Sequence, residues 1–327
     1  MRYTKQTAPG IVVGLAVLIT CSCSESRHAP EEKYYLVASN TKIAYWQAAA
    51  NGLSSAGAKM GIKTELVGPA TYDPKAQREA FQKAVAAKPS GIMISAADPE
   101  MMTADINAAI AAGIPVITMD SDAPSSHRLF FVGTNNYQAG LTGGRTLVQK
   151  LGRKGNVVVL TIPAQSNLID RLKGYQDAIA NTEIKIVQTV DMHGDAAFAF
   201  DKTMEIIEKS NMKIDAFVCT EASGGAQVAE VLDRKKVQGK VIIAMDTDEE
   251  TLKWIEKGAI AATIGQKPYT MAYYGLHLLD DLHHNKPQPL DGDWSKVLEA
   301  VVPGAVDTGS SLIDQGSLKL MQKPTSK

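Results

Sequence analysis

The chain holds 327 residues, 45% hydrophobic and 21% charged, with a formal net charge of -1. That is ordinary globular composition, enough for one large or two medium domains. A near-neutral chain without a basic face or long basic run excludes a nucleic-acid footprint; its longest basic cluster, Arg234-Lys235-Lys236, reads as a solvated helix end.

The N-terminus reads as a targeting segment. Arg2 and Lys5 precede a short apolar core, Ile11 to Ile19, too short to span a membrane. Leu18-Ile19-Thr20-Cys21-Ser22-Cys23 follows, with the look of a lipoprotein signal. Lipidation is assigned to Cys21, with Cys23 the alternative and a plain secretory peptide the second reading. Either implies export to the periplasm or cell surface, with membrane contact through a lipid anchor only. Residues 1–23 are thus a signal region, and 24–33, polar with one proline, a flexible tether. Cys219 alone remains in the body, inside the apolar run Ala216-Phe217-Val218-Cys219, so no disulfide forms there and the thiol reads as a buried small hydrophobe.

From Tyr34 short apolar runs alternate with helical patterns. Strands are expected at 34–38, 64–67 and 91–95, with helices at 43–60, 74–87 and 99–112. A fourth strand starts at Ile114 and runs into Asp120-Ser121-Asp122, and a fifth spans 129–132. The pattern restarts near Gly133-Thr134-Asn135. Helices are expected at 137–151, 168–180, 196–209, 225–233, 249–257 and 268–282. Strands fall between them at 156–160, 184–190, 216–219, 241–245 and 260–264, and a late strand at 297–302. Such alternation means βαβ units on parallel sheets. The fold class is therefore α/β, with two lobes in tandem.

Polar residues just past the carboxyl ends of parallel strands sit where open α/β sheets bind ligands. Asp120, Glu221, Asp246 and Gln266 all occupy such positions. If the carboxyl edges face each other, these residues share one cleft between the lobes. The alternative for 120–122 is a turn in which Ser121 or Asp122 caps the next element.

Four segments carry a family resemblance: Ala112-Gly113-Ile114-Pro115-Val116-Ile117-Thr118-Met119-Asp120, Asp170-Arg171-Leu172-Lys173-Gly174-Tyr175, Ala244-Met245-Asp246 and Ala261-Ala262-Thr263-Ile264-Gly265-Gln266. In this order and spacing the chain resembles the periplasmic solute-binding proteins of the ribose and galactose type, which serve ABC transporters. The resemblance implies two similar doubly wound lobes joined by a three-strand hinge (type I). Crossings are expected near Gly133-Thr134, Gln266-Lys267 and 302–306. The lobes then comprise 34–133 plus 267–302, and 134–266 plus 303–327. It also implies no catalytic residues and no cofactor, a monosaccharide or polyol as ligand, a membrane permease as partner and a monomeric chain.

By the same resemblance, Tyr45 and Trp46 offer an aromatic face to a sugar, with core packing as the alternative. Asp120 accepts bonds from its hydroxyls. Arg171 donates from a fixed fork, the alternative being a helix-surface pair with Asp170. Asp246 and Gln266 fit the family pattern. Glu221 stands where many members have asparagine, and Ser121 where ribose-type members have arginine; both argue against ribose itself. Asn40, Lys42 and Asp195 are weaker ligand candidates. A sensor that reports occupancy to a membrane receptor is the alternative function. A lactose-repressor-type regulator is disfavoured, because no helix-turn-helix precedes Tyr34.

Three motifs are set aside. Gly140-Leu141-Thr142-Gly143-Gly144 lacks dinucleotide-loop spacing. Asp246-x-Asp248-Glu249-Glu250 lacks a calcium loop's glycine. His283-His284 has no second ligand cluster in sequence and reads as helix-end charge rather than a metal site.

Overall fold

The computed structural model describes residues 28–209, 213–297, 299–300 and 302–321; the expected signal region, with Cys21 and Cys23, lies outside them. The first series runs β1 (Lys33–Val37), α1 (Ala44–Met60), β2 (Lys63–Val67), α2 (Pro74–Ala86), β3 (Gly91–Ile94), α3 (Pro99–Ala111), β4 (Val116–Met119) and β5 (Phe131–Gly133). The second runs α4 (Asn136–Leu151), β6 (Lys154–Thr161), α5 (Ser166–Ile179), β7 (Glu183–Asp191), α6 (Ala196–Lys209), β8 (Ala216–Cys219), α7 (Gly224–Arg234), β9 (Val241–Met245), α8 (Glu249–Glu256) and β10 (Ala262–Gly265). The chain closes with α9 (Pro268–His284), a 3-10 turn at Trp294–Lys296, β11 (Ala305–Asp307), β12 (Ser311–Ile313) and α10 (Gln315–Met321).

Local chemistry sets these boundaries. Asp73 and Asp98 accept backbone N–H groups at the starts of α2 and α3, each with proline at the first turn. Gly61 and Gly152 end α1 and α4 in the left-handed conformation, where a side chain would be strained. Strands β3, β4 and β8 are buried along their whole length, as apolar parallel strands covered on both faces must be.

Two six-stranded sheets result, ordered β11-β5-β4-β3-β1-β2 and β12-β10-β9-β8-β6-β7. Every pairing is parallel except β10 with β12. Helices α1 and α9 pack together over the first sheet and α4 and α5 over the second, and each lobe has its own hydrophobic core. The fold is thus two α/β lobes of the type I periplasmic binding protein kind. Among the described residues no helix is long and apolar enough to cross a membrane.

Four expectations need correction. The late strand at 297–302 is absent from the described residues there; the chain instead makes the Trp294–Lys296 turn, and Pro303-Gly304 separates Val302 from β11. Proline lacks the N–H that a continuous ladder would need. Second, β11 pairs with β5, so Ala305–Asp307 belongs to the first sheet and not to the second lobe. The third crossing therefore falls at 308–310, between β11 and β12, while the first two fall between β5 and α4 and between β10 and α9. Third, the tether ends early. His28 bonds Asp280 on α9, and Glu32 is buried at 7% exposure. These groups also give His284 neighbours that its helix alone could not supply, so the reading of His283-His284 as lacking a second ligand set is overturned.

Candidate functional site

Strands β4 and β9 end in the same way. Asp120 and Asp246 each follow the last strand residue with positive φ, 68° and 67°. Aspartate tolerates this left-handed conformation better than most residues. Each still donates its backbone N–H to the neighbouring strand, Asp120 to Val132 at 3.0 Å and Asp246 to Ile264 at 2.9 Å. The chain thus leaves the sheet abruptly while the carboxylate stays at its edge, and both carboxylates line one cleft between the lobes.

Asp120 is the better satisfied of the two. Its Oδ1 accepts from the Tyr45 hydroxyl at 2.7 Å and its Oδ2 from Ser95 at 2.9 Å. Burial still raises its pKa, against the pull of Arg171, Tyr45 and Ser95. Burial, followed by the charge of Asp120, holds the Tyr45 hydroxyl far above the usual phenol range, so it stays a donor. Among the described residues, the Asp246 carboxylate accepts only from the amide of Gln266, at 3.0 and 3.3 Å. Burial pushes its pKa up to about 7; Arg171 opposes this, and the charges of Asp120 and Glu221 add to it.

Arg171 reaches the cleft from α5 at 2% exposure. Its Nε donates to Asn136 at 2.9 Å, Nη1 to the Thr220 carbonyl at 2.7 Å and Nη2 to Gln266 at 2.7 Å. A guanidinium has five N–H groups, so two remain after these three bonds. None of the three partners is Asp170, so the surface-pair alternative does not describe this arginine. Its depth is set by glycine. A Cβ on Gly140 would lie 2.1 Å from the Arg171 carbonyl oxygen, and one on Gly174 2.3 Å from that of Tyr137. The glycine-rich stretch that resembled no nucleotide loop is the surface that lets α4 and α5 approach this closely.

Gln266 joins Arg171 to Asp246 by accepting from one and donating to the other. Trp46 is 2% exposed and packs in the first lobe's core while also lining the cleft, next to Tyr45 in a T-shaped pair 5.2 Å apart. Glu221 lines the cleft but also caps α7: its Oε1 accepts from Ser223 N–H at 3.0 Å, Gly224 N–H at 2.8 Å and the Ser223 hydroxyl at 2.9 Å. Burial raises its pKa, and these donors oppose the rise.

The four weaker candidates divide. Asn40 lines the cleft and folds its own loop through the Lys42 N–H. Lys42 is exposed and is not among the lining residues. Ser121 is fully buried outside the lining, with its hydroxyl 3.4 Å from that of Ser166 in the other lobe. Its side chain alternates away from that of Asp120, so adjacency in sequence did not mean adjacency in the site. Asp195 is exposed and accepts from Ala197 and Phe198 N–H groups at the start of α6; neighbouring Gly194 meets the cleft in its place.

Sequence reading missed Ser39, Tyr72, Gln165 and Asn167 in the lining and Ser95 behind Asp120. Of these, Ser95 had a signal, since it ends a strand as Asp120 does. Tyr72, Gln165 and Asn167 come from loops or a helix start, where no periodicity points to a face. The lobes touch around them. The Ser166 hydroxyl donates to the Asp122 carbonyl at 2.9 Å and accepts its N–H at 3.0 Å, and Tyr72 lies directly over Gly194, where a Cβ would come within 2.6 Å. The cleft has about 530 Å³ not filled by atoms when the open solvent at its mouth is counted, of which about 60 Å³ admits the centres of water-sized spheres. Acceptors, a cationic fork and aromatic surface on opposing walls suit a polar ligand rich in hydroxyl donors with an apolar face.

Comparison with known proteins agrees with the two-lobed fold. The model of the periplasmic binding protein domain matches residues 34–287. The D-allose-binding periplasmic protein of Escherichia coli K12 is 24% identical over 303 residues, covering 89% of this chain and 94% of that protein. The arabinose-binding protein AraP of Geobacillus stearothermophilus superposes with a TM-score of 0.73 at 32% identity, covering 90% of this chain and 100% of AraP. A structure described as the XylFII-LytSN complex matches with a TM-score of 0.77 at 28% identity, covering 87% of this chain and 98% of that one.

Proposed function

The chain belongs to the periplasmic binding protein family, and from that premise we propose that it captures a monosaccharide or polyol between its lobes and delivers it to an ABC importer. The observation that carries this reading is the convergence of Asp120 and Asp246 from opposing sheets on one cleft, with Arg171 and Gln266 between them and Tyr45 and Trp46 alongside. Asp120, Asp246 and Glu221 accept ligand hydroxyls, and the two spare N–H groups of Arg171 donate. The aromatic pair covers the ligand's apolar face. Ligand contacts both lobes only when they are together, so binding favours the closed arrangement over one opened about the three crossings. Names of similar proteins support the ligand class: arabinose for AraP and D-allose for the E. coli relative. Export and lipidation at Cys21 or Cys23 would hold the protein outside the cytoplasmic membrane beside its permease, as a monomer.

A sensory role is the second reading, and the likeness to the XylFII-LytSN complex favours weighing it. The two roles share a ligand and differ in partner. A thermal-shift screen of pentoses, hexoses and polyols tests the shared part. A ligand at 100 times its dissociation constant adds about 2.7 kcal/mol; no shift with any of them would contradict a carbohydrate ligand.

A further inference from the structure

At the other end of the first lobe, by the amino edge of its sheet, His28 and Glu32 from the segment leading into β1 meet Asp280 and His284 on α9. One nitrogen or oxygen from each of the four lies within 4.8 Å of all the others. We infer that this cluster is a binding site for a zinc-like divalent cation, which clasps the segment at 28–32 to α9. It lies apart from the sugar cleft and does not depend on that reading.

The spacing supports four-coordinate ligation. Zinc bonds of about 2.0–2.1 Å in a tetrahedron set ligand atoms about 3.3–3.4 Å apart. Here His28 Nε2 and Asp280 Oδ1 stand 3.2 Å apart, His284 Nε2 and Glu32 Oε2 3.4 Å, and His284 Nε2 and Asp280 Oδ1 3.5 Å. These are already the edges such an ion would impose.

A second observation points the same way. Glu32 is only 7% exposed, and its Oε2 makes no hydrogen bond; nor does His284 Nε2, which faces it. A buried carboxylate oxygen left without a donor is costly, and a cation would satisfy both atoms at once. The remaining carboxylate contacts are those of oriented ligands. Glu32 Oε1 accepts the Ala29 N–H at 2.7 Å, and Asp280 Oδ1 accepts the Tyr34 hydroxyl at 2.9 Å. Such outer partners fix the aim of ligating groups. Two imidazoles with two carboxylates suit zinc or a neighbouring first-row ion, whereas magnesium and calcium prefer oxygen alone. Because residues 1–27 enter through this segment, the ion would fix where the lobe joins its N-terminal extension.

The test is zinc binding by the chelator-stripped full chain, read by elemental analysis after gel filtration and by thermal melting. One zinc per chain and a higher melting temperature are expected. Glu32→Gln and His284→Gln should each weaken zinc at least tenfold and abolish the melting shift, with far-UV circular dichroism unchanged. His28→Gln serves as the third variant if either fails to fold. No retained zinc would overturn the inference, leaving the cluster as hydrogen-bonded histidines. Zinc retained equally by the variants would also overturn it, by placing the ion elsewhere, for instance on Cys21 and Cys23.

Discussion

The two lobes write the same short phrase and use it differently. Met119-Asp120-Ser121-Asp122 follows β4, and Met245-Asp246-Thr247-Asp248 follows β9. In both, the first aspartate is left-handed, bonds the next strand and faces the cleft. In both, the carboxylate of the second aspartate bonds groups of its own lobe. Asp122 accepts from Arg128 at 2.5 and 2.6 Å, and Asp248 caps α8 through the Thr251 N–H and hydroxyl. The difference lies in what surrounds the first. Asp120 has two hydroxyl donors from its own lobe, whereas Asp246 has one amide and two like charges nearby. The first lobe thus holds a compensated acceptor, and the second an acceptor short of donors that a hydroxylated ligand can supply.

The largest effect should come from the group that serves both sides. Arg171→Met removes three buried hydrogen bonds and the cation between the acids. Loss of one partner from a buried charged network costs about 3–5 kcal/mol, so urea unfolding should show a loss of that order. A loss under about 1 kcal/mol would mean that the acids do not depend on it. Next is the contact between lobes. Gly194→Ala adds a Cβ that meets the Cβ of Tyr72 in a left-handed stretch of backbone, so ligand affinity should fall at least tenfold and recover only in part with Tyr72→Gly, which removes the clash and leaves the backbone strain. Equal affinity in the single variant would show that the lobes need not come this close.

The asymmetry of the two acids has a pH signature. A carboxyl whose folded pKa lies above its unfolded value gives stability that is complete below the unfolded pKa and is lost as pH rises through the folded one. For Asp246, pushed up to about 7, the ligand-free protein should therefore lose stability between about pH 4 and pH 8. Melting curves of Asp246→Asn should lack this component; parallel pH profiles for wild type and variant would refute the assignment. A separate effect belongs to Tyr45→Phe, which removes one of the two donors to Asp120. A hydrogen bond to a charged group contributes about 1.5–3 kcal/mol, and urea unfolding of the ligand-free protein should show a loss of about that size while Asp246 titrates as before.

Much of this was readable in the sequence because parallel strands announce their own ends. Apolar runs stopping at Asp120, Asp246 and Gln266 gave the strands, the cleft and three of its residues. Arg171 could be placed through family resemblance, but its depth depends on Gly140 and Gly174, whose role appears only when two helices are brought together. Ser121 and Asp195 misled because loop residues beside a site need not face it. Strand β11 was missed because three residues at an edge, after Pro303-Gly304, carry little periodicity. The cluster of His28, Glu32, Asp280 and His284 joins positions some 250 residues apart, and no local pattern could show it.

The most direct measurement is titration calorimetry of the best sugar from the screen against wild type, Asp120→Ala and Asp246→Ala. Each variant should bind at least a hundredfold more weakly, since each strips an acceptor from one wall of the same ligand. Wild-type affinity in either one would mean that the two strand ends do not hold a common ligand, and the cleft would lose its proposed role.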